Sequence, residues 1–147
     1  MNTLIAGVGN LILRDEGVGI HAIRALEKEA LPDHVRLLDG GTGGFHLITW
    51  LENCTHLIMI DATLDDNPPG SIRIIKPRYA SDFPPLMSAH EIGLKDMLDV
   101  MQITDDMPPE IHLIVVSVKN INEVGMELSP EVEAAIPEIV RTIKDLL

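Results

Sequence analysis

Glu16, Asp61 and His90 are the residues whose types could do chemistry together. Two carboxylates and one imidazole suit a borderline divalent ion such as nickel or zinc, with positions left open for substrate or water. Carboxylates alone would favour magnesium or calcium, and the histidine tilts the set away from them. The single Cys54 cannot complete a closed structural zinc site.

His90 lies in Ser88-Ala89-His90-Glu91, where Ser88 and Glu91 have capping-box spacing. That places His90 in the first turn of a helix, where the positive end of the dipole keeps the imidazole neutral, as metal ligation requires. Plainer roles compete for each residue. His90 could be a solvent-exposed first-turn histidine, and Asp61 could cap a turn. Asp15 and Glu16 could each stabilise a helix N-terminus by about 0.3–1 kcal/mol, a role assigned here to Asp15. Asp39-Gly40-Gly41-Thr42 ends a strand and exposes backbone, so these four residues are substrate-contact candidates. His21, His34, His46, His56 and His112 have no convergent partners in sequence and read as structural or surface residues. Nucleophilic catalysis has little support: there is no Gly-x-Ser-x-Gly elbow, and Ser88 is better used as a cap.

Apolar periodicity defines the elements that must position these groups. Strands are expected at Asn2–Gly7, Val35–Asp39, His56–Asp61, Ser71–Ile75 and Ile111–Val118. Helices are expected at Gly17–Leu31, Phe45–Glu52, Ala89–Met101 and from Pro130 onward, the last with Ser129 as N-cap and a kink or restart at Pro137. The alternation predicts a three-layer α/β/α sandwich around a five-stranded, mostly parallel twisted sheet. Ala62–Gly70 is too short for a parallel crossover, so the fourth strand is expected to be antiparallel, at an edge. Ligands of such sheets bind beyond the carboxyl ends of the parallel strands, and Glu16, Asp61 and the loop before His90 all fall there.

The 147 residues fit one domain, 1–147, and 46% hydrophobic content argues against disorder. A net charge of −12 argues against nucleic acid or anionic membrane as partner. Apolar runs are too short to span a bilayer, and the N-terminus carries no signal-peptide pattern. With one cysteine, expected to be buried and inert, a reducing cytoplasm is the expected location.

The ordered motifs Gly7-x-Gly9-Asn10-x-Ile12-x-x-Asp15-Glu16-Gly17-x-Gly19, Asp39-Gly40-Gly41-Thr42-x-Gly44, Asp61-Ala62, Ser88-x-His90-Glu91-x-Gly93-Leu94-x-Asp96 and Gly125-Met126-x-Leu128-Ser129-Pro130 resemble the hydrogenase maturation peptidase family. The resemblance spans nearly the whole chain, and the first motif is the most specific. It implies an endopeptidase that removes the C-terminal extension of the large-subunit precursor of a [NiFe] hydrogenase. It also implies that Glu16, Asp61 and His90 contact nickel supplied by the precursor, with no organic cofactor. Position 12 is Ile where Leu is common.

Two rivals use some of the same residues. A dinucleotide-binding module would use Gly7-x-Gly9 and Asp39, but Ile12 stands at the third glycine position and Asp15 and Glu16 would repel a pyrophosphate. A phosphoacceptor receiver-like signalling domain would use Asp61 with Ser117 and Lys119, but Asp15 lies far past the strand end and no helix fits between strands three and four.

Overall fold

A computed structural model describes residues 1–41, 49–77, 103–104, 107–119 and 123–147. Within them the chain runs β1 (Thr3–Val8), a 3-10 turn (Arg14–Gly17), α1 (Val18–Leu26), β2 (Val35–Gly41), β3 (His56–Thr63), β4 (Ile72–Ile75), β5 (Glu110–Ser117) and α2 (Pro130–Leu146). The strands form a five-stranded sheet in the order β2-β1-β3-β5-β4. β1, β2, β3 and β5 are parallel, and β4 runs antiparallel to β5 from Ile72 opposite Val116 to Ile75 opposite Leu113. The expectation of one antiparallel edge strand is met.

β1, β3 and β5 are buried along almost their whole length, with apolar centres, because both of their faces are covered, as parallel strands require. Alternate residues serve two cores. Ile5, Ile58, Ile60, Ile114 and Val116 pack under α1 and α2, which contribute Val18, Ile23, Leu26, Val132, Ile139 and Ile143. Leu4, Ala6, Leu57, Met59, Leu113 and Val115 form the opposite face with Leu51 and Cys54. The helices expected at Phe45–Glu52 and Ala89–Met101 fall largely outside the described residues.

Three local expectations change. The helix expected from Gly17 to Leu31 is shorter, Val18–Leu26; the chain then leaves in tight turns, Lys28 N–H donating to the Ala25 carbonyl and Glu29 N–H to that of Leu26. The exposed Glu27-Lys28-Glu29 has no apolar face to hold a further turn down. Of the kink or restart expected at Pro137, the restart does not occur: α2 continues through it. Pro137 is exposed, so its ring faces water rather than a packed neighbour. Ser129 occupies the N-cap of α2, but its hydroxyl makes no capping bond.

Candidate functional site

The order β2-β1-β3 makes the carboxyl ends of β1 and β3 the topological switch point of the sheet, where open α/β folds hold their ligands. Glu16 and Asp61 are there. The last β1–β3 pair is Gly7 with Ile60, so Asp61 is the first β3 residue beyond the β1 register. It is fully buried, and its Oδ1 accepts the Ala62 N–H at 2.7 Å. Glu16 sits in the 3-10 turn after β1 and is only 2% exposed.

Gly9 is the hinge between them. Its φ is +132°, and a Cβ there would stand 2.1 Å from the Glu16 carbonyl oxygen and 3.9 Å from Asp61 Oδ1. The Glu16 backbone and the Asp61 carboxylate therefore lie within the sum of those two distances of each other. Only a glycine lets the loop pass between them. Gly19 has a matching role one turn later, where a Cβ would stand 2.5 Å from the Ile60 carbonyl and 2.8 Å from that of Val8, so α1 sits directly on the strand ends.

Asp15 does more than the helix-dipole role expected of it. It is fully buried, and among the described residues its carboxylate accepts hydrogen bonds from the other end of the chain: Ser129 N–H at 2.7 Å, Ser129 Oγ–H at 2.8 Å and Lys119 N–H at 3.0 Å. Ser129 thus spends its hydroxyl on Asp15 rather than on its own helix. The neighbouring backbone is clamped as well. Leu13 and Gly125 form a parallel bridge, Arg14 N–H donates to the Gly125 carbonyl, and Gly125 N–H donates to that of Ile12. Arg14, held at φ 51°, bonds Glu123 at 2.9 Å and the Glu127 carbonyl at 3.2 Å, and His21 Nε2 lies 3.0 Å from the Met126 carbonyl. The late Gly125–Pro130 motif is therefore the brace of the loop that carries Glu16. Nothing in sequence spacing links positions 15 and 129; the paired signal was a buried-type acid beside an N-cap serine, and it is visible only once the fold brings them together.

Asp39 is exposed at the end of edge strand β2, opposite Gly7, and Gly41 pairs with Val8 across a register shift. Gly40 lies close to the Gly7 carbonyl. Thr42, Ser88, His90 and Glu91 lie outside the described residues. Glu16 and Asp61 are thus brought to one end of the sheet, with Asp39, Gly40 and Gly41 at the end of β2. The arrangement can offer buried carboxylate oxygen to a cation at the switch point.

The residues a receiver domain would use do not assemble. Ser117 Oγ donates to Asp65, and Lys119 Nζ pairs with Glu131 at 3.0 Å on the surface. Asp65 organises the β3–β4 turn instead. Burial opposes its ionisation, and hydrogen bonds from Asn67 and Ser117, with Arg73, outweigh that and hold its carboxyl below the usual range. Cys54 is buried, and burial raises its thiol pKa, as expected of an inert core cysteine.

Comparison with known proteins adds an independent line. Residues 20–146 match the family model described as "Hydrogenase maturation protease". The chain is 37% identical over 139 residues to the "Hydrogenase 2 maturation protease" of Escherichia coli, covering 92% of this chain and 84% of that one. It is 33% identical over 151 residues to the "Hydrogenase expression/formation protein HoxM" of Azotobacter vinelandii, covering 99% and 72%. Among solved structures, the hydrogenase maturating endopeptidase HybD from E. coli superposes with a TM-score of 0.90 at 35% identity, over 100% of this chain and 92% of that chain. The [NiFe] hydrogenase maturation protease HybD from Thermococcus kodakarensis superposes with a TM-score of 0.82 at 30% identity, over 99% of both.

Proposed function

Since the chain belongs to the hydrogenase maturation protease family, we propose that it cleaves once, removing the C-terminal extension from the nickel-loaded large-subunit precursor of a [NiFe] hydrogenase. The observation that carries this is that Glu16 and Asp61 are both buried at the switch point of the sheet, with the Glu16 backbone carbonyl and an Asp61 carboxylate oxygen both close to Gly9.

Nickel arrives with the substrate, held by precursor thiolates, and Glu16, Asp61 and His90 complete its surroundings. Imidazole and carboxylate with open positions suit an ion of that class. Asp39, Gly40 and Gly41, at the end of edge strand β2, and Thr42, which follows them in sequence, are the candidates to meet the extended tail. No organic cofactor takes part. In one form of the mechanism the ion polarises the scissile carbonyl or activates a water. In the simpler form it only fixes the precursor in register for the cut. Both require Asp61. The proposed location is the cytoplasm, in keeping with a lone buried thiol; among the described residues, no helix is long and apolar enough to cross a membrane.

The test is incubation with a nickel-loaded precursor and with its nickel-free form, read by mass spectrometry. A single C-terminal cut in the loaded form only is expected, and Asp61→Ala should abolish it. Full activity of Asp61→Ala would rule out both forms of the mechanism.

A further inference from the structure

At the opposite end of the sheet from Glu16 and Asp61, three side chains converge whose partnership sequence spacing did not reveal. His56 opens β3, and Glu110 and His112 begin β5. The parallel register sets His56 beside Glu110 and Ile58 beside His112. With a period of two, all three side chains leave the same face of adjacent strands. His56 Nε2 lies 2.7 Å from His112 Nδ1, with ring centroids 4.9 Å apart and edge-on. Glu110 Oε1 lies 3.9 Å from His112 Nδ1, and one ligand atom from each of the three lies within 4.8 Å of the others. Both rings are buried, and Glu110 is exposed.

Among the described residues, the charged side chains acting on the pair are Glu110 and Lys76, one of each sign. Burial, above all, lowers the pKa of both imidazoles, so at neutral pH each ring keeps a lone pair. Two neutral rings in contact can share only one proton in their hydrogen bond. A cation can take that proton's place.

We propose that His56, Glu110 and His112 form a divalent-metal site of the zinc or nickel class, separate from the Glu16–Asp61–His90 site, which clips β3 to β5. Two imidazoles and one carboxylate are the donor set such ions prefer, with a fourth position left to water. Nitrogens on a tetrahedral ion at roughly 2.0–2.1 Å would be about 3.3 Å apart. The two rings need only swing open by a fraction of an ångström from their hydrogen-bonded spacing. Glu110, at the solvent side, closes over the ion. The ion's charge would be met by Glu110 and opposed by Lys76, so the carboxylate is the ligand that decides affinity.

The test uses the intact protein with zinc alone as probe. Histidine ring resonances are followed by NMR during titration, and bound ions are counted by native mass spectrometry. His56 and His112 signals are expected to shift together and saturate, and to do so equally in the Asp61→Asn variant, which separates this site from the other. Glu110→Gln, an exposed change that leaves the core untouched, should weaken this binding at least about tenfold. His112→Gln should abolish it. Unmoved His56 and His112 signals at millimolar zinc, or an unchanged affinity in Glu110→Gln, would overturn the proposal. Should His112→Gln fail to fold, Glu110→Gln still decides.

Discussion

Asp15→Asn is a near-isosteric change that tests how the Glu16 loop is held. Asp15 Oδ1 accepts the Ser129 N–H, and Oδ2 accepts the Lys119 N–H and the Ser129 hydroxyl. An amide has only one oxygen. If its NH2 replaces Oδ1, the Ser129 N–H loses its acceptor. If it replaces Oδ2, the Lys119 N–H loses its acceptor while the Ser129 hydroxyl can turn and accept. In both orientations one backbone donor against a fully buried side chain is left facing another donor. A hydrogen bond to a charged group contributes about 1.5–3 kcal/mol, and an abandoned buried donor costs about 1–3 kcal/mol. Asp15→Asn should therefore destabilise by roughly 2–3 kcal/mol. Asp15→Ala takes this acceptor from both backbone donors and should cost more, about 3–5 kcal/mol at about 1–3 kcal/mol for each abandoned donor. Urea unfolding measures both. At about 2–4 °C per kcal/mol for a chain of this size, Asn should lower Tm by roughly 4–12 °C. Ser129→Ala removes one bond of the three and should cost about 1 kcal/mol, and combining it with Asp15→Asn should give less than the sum, since the two share a bond. A change below about 0.5 kcal/mol for Asp15→Asn, the range of an ordinary surface substitution, would refute the brace.

Gly9→Ala would put a methyl 2.1 Å from the Glu16 carbonyl at a φ of +132°, so the loop must move. Processing of precursor is expected to fall more than about tenfold, since small misplacements at a site cost that much, while far-UV circular dichroism stays native. Stability should decline below about pH 6.5. His56 and His112 have lowered pKa values in the folded state, chiefly through burial, so the unfolded chain takes up protons first and the stabilisation present above that pH is lost on acidification. The slope should reach as much as about 2.7 kcal/mol per pH unit while both rings are protonated only when unfolded, and a denaturant series across pH reads it; a flat profile between pH 7 and about 5.5 would contradict the burial of the pair. Cys54 should react with thiol reagents only as fast as the protein opens, so its labelling should speed up in urea in step with unfolding.

Much of this architecture is written in local patterns. The strands are apolar runs of buried-strand length, and the Asp65-Asp66-Asn67-Pro68-Pro69-Gly70 turn is too short for anything but an antiparallel return, which places β4 at the edge. Glu16 and Asp61 could be picked out because they follow strands one and three, and a parallel sheet gathers strand ends on one side. What could not be read depends on distant positions meeting. Asp15 looked like a helix-dipole residue because its partners, Lys119 and Ser129, lie over a hundred residues away. His56 and His112 looked unconnected because their meeting depends on the β3–β5 register, which no local pattern specifies. Pro137 suggested a kink or restart because proline lacks the helical N–H, but a single lost bond does not end a helix whose other residues pack on the sheet.

The most direct measurement of the central claim is an anomalous-scattering map of crystals soaked in nickel. An ion at the switch point, bonded at roughly 2.0–2.2 Å to carboxylate oxygens of Glu16 and Asp61 and to a ring nitrogen of His90, is the expected result. An imidazole of His90 on the order of 10 Å or more from both carboxylates, several times a metal–ligand bond, with no nickel at the switch point, would contradict it.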